Sequence, residues 1–493
     1  MHYDMRMEKK ASLTIALIPV IFLIIALSFN VIGVFGDDAL SGSNQFILMM
    51  SGAVAALMGL LTGTKWKTVL AGIEDSIKST TGALIILLLI GSLAGAWMIS
   101  GIVPAMIYYG LKLLSPDIFL PASALICAMV SLATGSSWST SATVGIALIG
   151  IGKALGLNEA MVAGAVISGA YFGDKLSPLS DTTNLAPAMA GTDLFTHIRY
   201  MLYTTIPSFL IALILFTFIG LGNSSNISID EIQPLLTELE GTYNLSPWLF
   251  LVPALVIFLI IKKMPALPAI LIGTLSGIAF APIFQGELLA QLSESLTDGS
   301  YYKLLLNALT VEVVYPSNHP ILNELLVSGG MTSMLNTVWL IIAAMVFGGS
   351  MEASGFLKII SAALLKLATG TFSLIATTVG TCGLVNITAS DQYLAIVLPG
   401  RMYADAYKEQ GLAPENLSRT LEDSGTVTSV LIPHNTCGAY QSTVLGVDTL
   451  AYLPYAFFNY LSPFTTLLYA AMGWKIKKLI SPKKEALKVE GND

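Results

Sequence analysis

The chain has 493 residues, of which 54% are hydrophobic and only 11% charged, with a formal net charge of −7. Soluble domains carry roughly 25% charged residues, so this deficit, with a mean hydropathy of +0.75, excludes an ordinary soluble domain. The apolar runs lack strand alternation, which argues against a β-barrel, and no basic stripe points to nucleic acid.

What remains is an all-α polytopic membrane protein whose solvent is the lipid bilayer. Residues 13–35 form the first long apolar run. It exceeds the roughly 7–15 residues of a signal-peptide core, and no clean small-x-small cleavage site follows it, so it reads as a retained first helix. Runs at 82–99, 201–221 and 247–261 approach or reach the roughly 20 residues that cross a bilayer as a helix. Basic residues set the orientation. Arg6, Lys9 and Lys10 at the start, and Lys475, Lys477, Lys478, Lys483, Lys484 and Lys488 at the end, put both termini on the cytoplasmic side. Lys65, Lys67, Lys78, Lys262 and Lys263 belong to that side too. Asp37, Asp38 and the linker 223–246 belong to the opposite side, because the linker carries Asp230, Glu231, Glu238 and Glu240 but no lysine or arginine. The acidic, partly apolar region 285–335 reads as an external loop with interfacial helices. Two cytoplasmic tails require an even number of crossings.

The acidic linker divides the chain near its middle, and the two halves resemble each other. Residues 17–25 (LIPVIFLII) resemble 251–259 (LVPALVIFL). Further on, Ser100-Gly101 with Lys112 matches Ser354-Gly355 with Lys366, and Thr134 begins a run matched at Thr388. Gly156-Leu157 then matches Gly411-Leu412, and Pro178 matches Pro433, all at a nearly constant offset of about 254–255 residues. The first half begins inside and ends outside, whereas the second begins outside and ends inside. The expected organisation is therefore two inverted-topology repeats with broken helices, a hallmark of secondary transporters that channels and membrane enzymes also use in part. Residues 1–222 are the first repeat, 223–246 the external linker, 247–474 the second repeat and 475–493 a cytoplasmic basic tail.

Four polar interruptions break the apolar surroundings, two per half. The first, at 134–143, offers Thr134, Ser136 and Ser137. The second, at 173–187 (GDKLSPLSDTTNLAP), offers Asp174, Lys175, Ser177, Ser180, Asp181, Thr182, Thr183 and Asn184. In the second half, 386–392 offers Thr388, Ser390 and Asp391, and 422–441 offers Glu422, Asp423, His434, Asn435 and Thr436. Matched interruptions in the two halves point to a midplane binding site. Hydroxyl, carbonyl and carboxylate oxygens are hard ligands suited to an alkali cation or a proton. Asp174 and Asp181 lead, with Asp391, Glu422 and Asp423 behind them; Thr182 and Asn184 complete the Na+ candidates. Each single hydroxyl has a second reading, a bond to its own preceding turn. Asp174 beside Lys175 has one as well, a neutralising pair, and His434 is either a proton carrier or a structural donor. An organic anion would need a cation, for which Lys175, Arg401 and Arg419 are available. Arg401 follows Pro399-Gly400, where a helix should bend or stop, so it either faces the pathway or anchors at the interface.

Nothing in the sequence calls for an enzyme or a cofactor. The histidines (His2, His197, His319, His434) are scattered, and Cys127, Cys382 and Cys437 have neither metal nor disulfide spacing and read as packing residues.

Together, the 134–143 run and the fifteen residues from Gly173 to Pro187 resemble the NhaC family of Na+/H+ antiporters, within the wider ion transporter superfamily. The resemblance covers essentially the whole chain in length and layout. It implies a multi-pass carrier of the bacterial inner membrane, with re-entrant hairpins at the midplane carrying the cation site. The activity it implies is exchange of cytoplasmic Na+ for external H+ by alternating access. The family also includes malate/lactate antiporters, so an organic-acid or amino-acid exchanger coupled to Na+ or H+ is the alternative. Whether the carrier is a homodimer is left open by the sequence.

Overall fold

The structure, a computed structural model, describes residues 11–35, 42–113, 115–223, 229–315, 317, 322 and 326–479. Arg6, Lys9, Lys10, Asp37, Asp38, Lys483, Lys484, Lys488, His2 and His319, with the expectations placed on them, lie outside the described residues. The chain is almost wholly helical. Among the described residues, eight helices are long and apolar enough to cross a membrane: Leu13–Phe35, Ser43–Leu61, Trp66–Ile99, Pro116–Thr134, Leu194–Gly222, Ala266–Phe284, Met331–Ala353 and Thr371–Thr388. A ninth results if Gln233–Thr242 and Pro247–Ile261, bent by 88° at their junction, form one span. These lengths and compositions match the expected polytopic membrane protein.

The first helix shows what such a solvent does to a surface. Ile21, Ile24, Ile25 and Phe29 are exposed while Ala16, Val20 and Leu23 are buried. In lipid, apolar side chains on the outside cost nothing, so helices associate through close packing of small residues instead. Gly169 and Gly173, one turn apart on the Glu159–Leu176 helix, press directly on the Pro116–Thr134 helix. A Cβ at Gly169 would lie 2.0 Å from the Ala124 carbonyl oxygen, and one at Gly173 would lie 2.4 Å from that of Ala128. Between them the Ser131 hydroxyl donates to the Ala170 carbonyl at 2.6 Å. Trp66–Ile99 and Met331–Ala353 meet in the same way, with a Cβ at Gly349 falling 2.6 Å from the Gly72 carbonyl oxygen.

Two regions differ from the sequence expectation. Within the acidic linker, Ile229–Thr242 is a helix whose Leu235, Leu236 and Leu239 are buried in the main core. It is fastened by Glu240, which accepts from the Tyr108 hydroxyl and pairs with Lys112 at 3.3 Å. The spacing of those leucines on one helical face explains why an acidic stretch packs rather than loops. Region 285–335 contains the helices Gly286–Thr297 and Tyr301–Thr310, but also a short antiparallel strand pair, Val313–Val314 with Val327–Ser328.

The glycine contacts predict a contrast. Gly169→Val should lower stability by about 1–3 kcal/mol through overpacking, seen as earlier loss of the monodisperse peak in size-exclusion chromatography after heating. Gly380→Ala, whose Cβ would meet open space, should leave that profile unchanged.

Candidate functional site

Helix breaks cluster where the polar interruptions were read. The Pro116–Thr134 helix ends at Gly135, whose φ of 71° lies in the left-handed region that glycine adopts freely. Ser136 then caps the next helix, accepting the Ser139 N–H at 3.1 Å. The Glu159–Leu176 helix stops at Ser177-Pro178, and Ser180 caps Asp181–Ala190. In the second half, Ser390 adopts φ 58°, a conformation costing a non-glycine residue roughly 1 kcal/mol or more. Asp391 caps Gln392–Glu409 by accepting the Leu394 N–H at 2.9 Å, and Asn435 caps Thr436–Leu445 by accepting the Cys437 N–H at 3.0 Å. The last two breaks are tied together, since the Thr436 N–H donates to the Ser390 carbonyl at 3.0 Å. Carbonyls at the end of Glu159–Leu176 are satisfied by the Thr183 hydroxyl, which reaches Asp174 at 3.2 Å and Lys175 at 3.0 Å.

The breaks border a cavity of about 770 Å³. Its wall brings together three carboxylates, Asp174, Asp181 and Asp391. Of the other sequence candidates, Thr134, Ser136, Ser180, Thr182 and Thr436 line it as well. Asp174 and Asp391 are buried, while Asp181, first residue of its helix, is exposed. One Asp174 oxygen accepts both the backbone N–H of Ser137 at 3.1 Å and its hydroxyl at 2.6 Å. All three carboxylates therefore lie at the positive ends of helices, and Asp174 and Asp391 each accept a backbone N–H there.

Other candidates fall elsewhere. Lys175 and Asp423 form an ion pair with each other, both side chains fully buried behind the wall. The Lys175 ammonium also donates to Ser462 at 3.0 Å, and Asp423 accepts from Thr204 at 2.8 Å, from Ser462 at 3.1 Å and from Thr466. Lys175 is thus not the partner of its neighbour Asp174. Thr388 bonds its own preceding turn at Leu384, 2.7 Å away, and His434 bonds the Ile387 carbonyl oxygen at 2.8 Å. Ser177 accepts the Leu179 N–H at 3.3 Å, and the exposed Asn184 donates to the Ser180 carbonyl at 2.7 Å. Asn435 donates to the Asn386 carbonyl at 3.0 Å, and the Ser390 hydroxyl is buried without a partner. Arg401 corrects an expectation: Gln392–Glu409 runs through Pro399-Gly400 unbroken, and Arg401 is exposed on it, away from the cavity wall. Arg419 is buried over the Tyr200 ring at 4.5 Å.

Among the wall residues that sequence reasoning missed, three stand out, Trp138, Tyr440 and Lys263. Trp138 and Tyr440 stack with centroids 3.9 Å apart, and the Tyr440 hydroxyl donates to the Trp138 carbonyl at 2.9 Å. Trp138 lies inside the polar 134–143 run, which was the available signal. Lys263 also lines the cavity, and its position in a basic turn disguised it as an orientation marker. Carboxylate and hydroxyl oxygens converging on a sheltered space can hold a hard monovalent cation or a proton.

A model described as the Na+/H+ antiporter family matches residues 169–474. The chain is 38% identical to a Na(+)/H(+) antiporter NhaC of Alkalihalophilus pseudofirmus, over 96% of this chain and 98% of that one. It is 37% identical to a malate-2H(+)/Na(+)-lactate antiporter of Bacillus subtilis, over 92% and 93%. To an uncharacterized Na(+)/H(+) antiporter of Haemophilus influenzae it is 38% identical, over 88% and 91%.

The buried pair can be tested by a mutant cycle. Lys175→Met alone or Asp423→Leu alone should each cost roughly 3–5 kcal/mol, because each strands a buried charge. The double variant should recover most of that loss in thermal unfolding of the purified protein.

Proposed function

The chain belongs to the Na+/H+ antiporter family, and from that premise we propose that the cavity at the helix breaks is where Na+ and H+ compete for the same carboxylates. The protein is a secondary active transporter exchanging the two ions. One observation carries the site assignment: Asp174, Asp181 and Asp391, drawn from both halves of the chain, line one cavity with the Ser136, Ser180, Thr182 and Thr436 oxygens. A carboxylate oxygen can neutralise a proton or a Na+ but not both at once. Occupancy by one ion therefore expels the other, which is the elementary step of exchange.

The two-repeat organisation, 1–222 and 247–474 about the linker 223–246, is supported by local geometry recurring at an offset of about 255 residues. Gly135 and Ser390 are both left-handed, Ser136 and Asp391 are both N-caps, and so are Ser180 and Asn435. We read the short helices after these breaks as re-entrant or half-crossing elements that carry the site. Alternating access follows if the breaks of one repeat move against a fixed frame, and the close Trp66–Ile99 and Met331–Ala353 crossing is suited to be that frame. Lysines at 65, 67, 78, 262 and 263, and at 475, 477 and 478 at the start of the basic tail, support cytoplasmic termini in a bacterial inner membrane and export of Na+ against entering H+.

A second reading has its own support. About 770 Å³ is far more space than a bare cation fills and lies within the roughly 300–1,000 Å³ of small-molecule pockets. A relative named for malate and lactate exchange is 37% identical over most of both chains. In this reading Lys263, rather than Lys175 or Arg401, is the cation on the wall available to a carboxylate substrate.

In proteoliposomes with an internal pH dye, added Na+ should drive proton movement, and Asp174→Asn or Asp391→Asn should slow it about tenfold or more, the equivalent of 1.4 kcal/mol. Wild-type rates in both variants would sink the site assignment. Proton movement that requires malate or lactate alongside Na+, and that Lys263→Gln weakens, would replace the first reading with the second.

A further inference from the structure

Glu422 opens the π-helical turn Glu422–Thr426, and its side chain is completely buried. Neither carboxylate oxygen has a hydrogen-bond partner, and the Thr426 hydroxyl is unpartnered too. Single π-turns inside helices recur at functional sites, because the extra residue re-aims its neighbours. Here adjacent acids take different surroundings. Asp423 is saturated by Lys175, Thr204, Ser462 and Thr466, whereas Glu422 lies near the hydroxyls of Thr426 and Thr182 and the charges of Lys175 and Asp174.

Charge counting then constrains the cluster. Lys175 supplies one positive charge, and Asp423 and Glu422 supply two negative ones, all fully buried. A net buried charge without compensation is expensive in an apolar interior. With Arg419, the other fully buried cation of this segment, placed over the Tyr200 ring, these three charges are one positive charge short, which one monovalent cation balances. Asp423 is already satisfied, so the vacancy for positive charge is at Glu422. A proton fills it with one O–H bond, which donates to the Thr426 or Thr182 hydroxyl. Na+ would need several more oxygens than these two threonines supply.

We propose that Glu422 is a second station for the exchanged proton, behind the cavity wall, from which the proton reaches the carboxylates where it competes with Na+. The proposal rests on the antiporter reading above. Thr182 borders both Glu422 and the cavity, so its hydroxyl relays the proton between them without any heavy-atom bond changing. When the proton leaves, the cluster regains its negative charge beside Asp174, and that field favours Na+ entry. The titratable and charged groups facing the site are Lys175 and Asp174 from the Glu159–Leu176 helix and Asp423 from its own turn. His197 of Leu194–Asn223 faces Lys175 and Asp423. Asp181–Ala190 and Phe457–Met472 present neutral hydroxyls, Thr182 on the one and Ser462 and Thr466 on the other.

Two measurements on the full chain test this. In infrared difference spectra of the purified protein, adding Na+ should remove a protonated-carboxyl band that is missing from Glu422→Gln and shifted in Glu422→Asp. The same band persisting in Glu422→Gln, or unmoved in Glu422→Asp, would overturn the proposal. In proteoliposomes, Glu422→Gln should cut Na+-driven proton movement about tenfold or more, while 22Na+–Na+ exchange loses its dependence on pH. Proton movement at the wild-type rate would also overturn it. Failure of the antiporter reading would look different: the wild-type protein itself would move no protons on adding Na+, and the infrared band would still report on Glu422.

Discussion

A backbone that stops being helical inside a membrane must find partners for every N–H and C=O it releases, and this constraint shapes the whole polar centre of the protein. The solution here is side-chain capping. Ser136, Ser180, Asp391 and Asn435 each accept a backbone N–H from the helix they open, and Thr183 covers the carbonyls at the end of Glu159–Leu176. Residues placed for that purpose are oxygen donors by necessity. On the proposed site, the cavity thus inherits Ser136, Ser180 and Asp391 from the capping that the fold requires. Asp391 does this through Oδ1, which accepts the Leu394 N–H.

Charge burial sorts the ionisable residues into two kinds. Lys175 and Asp423 are matched to each other and enclosed by hydroxyls, and they join the Glu159–Leu176 helix to the Glu422–Thr426 turn and to the Phe457–Met472 helix. Removing either member would leave a stranded charge, so the pair is best understood as part of the frame. Asp174, Asp181 and Asp391 have no such counter-ion on the cavity wall, where Lys263 is the lysine present. A carboxylate kept at that position without a fixed partner is costly, and in a membrane such residues mark ion pathways.

Much of this was legible in the sequence. Apolar run lengths gave the helices, and the four polar interruptions fall on helix breaks, because Gly, Pro, Ser, Asp and Asn are the residues that end and cap helices. The sequence could not show which charges meet. Asp174 and Lys175 are neighbours in the chain, but consecutive helical residues point about 100° apart and do not face each other, so one turns to the cavity and the other to Asp423. Arg401 misled for a related reason: a proline in a membrane helix need not break it when the surroundings re-satisfy the freed carbonyl. The buried leucine face of the linker helix was readable at helical spacing but was masked by its acidic composition. Trp138 and Tyr440 meet only because two distant helix starts converge.

The proposed site is unequal in its two halves, and the inequality has a physical consequence. At an offset of about 255 residues the first half places Ser136 where the second has Asp391, and Asp181 where the second has Thr436. Carboxylate and hydroxyl thus exchange places between the two halves of the sequence. Asp174 adds a third acid with no counterpart, since Ser429 occupies the matching position. A carrier with identical half-sites would bind its cation equally from either face. Here Asp174 is anchored on the Ser137 turn within the first half, and Asp391 is anchored within the second, so relative motion of the halves changes the distance between these acids. Na+ is held best when both contribute oxygens, and a proton needs only one. On the proposed site, separation of the halves would weaken Na+ more than H+ and so couple the exchange.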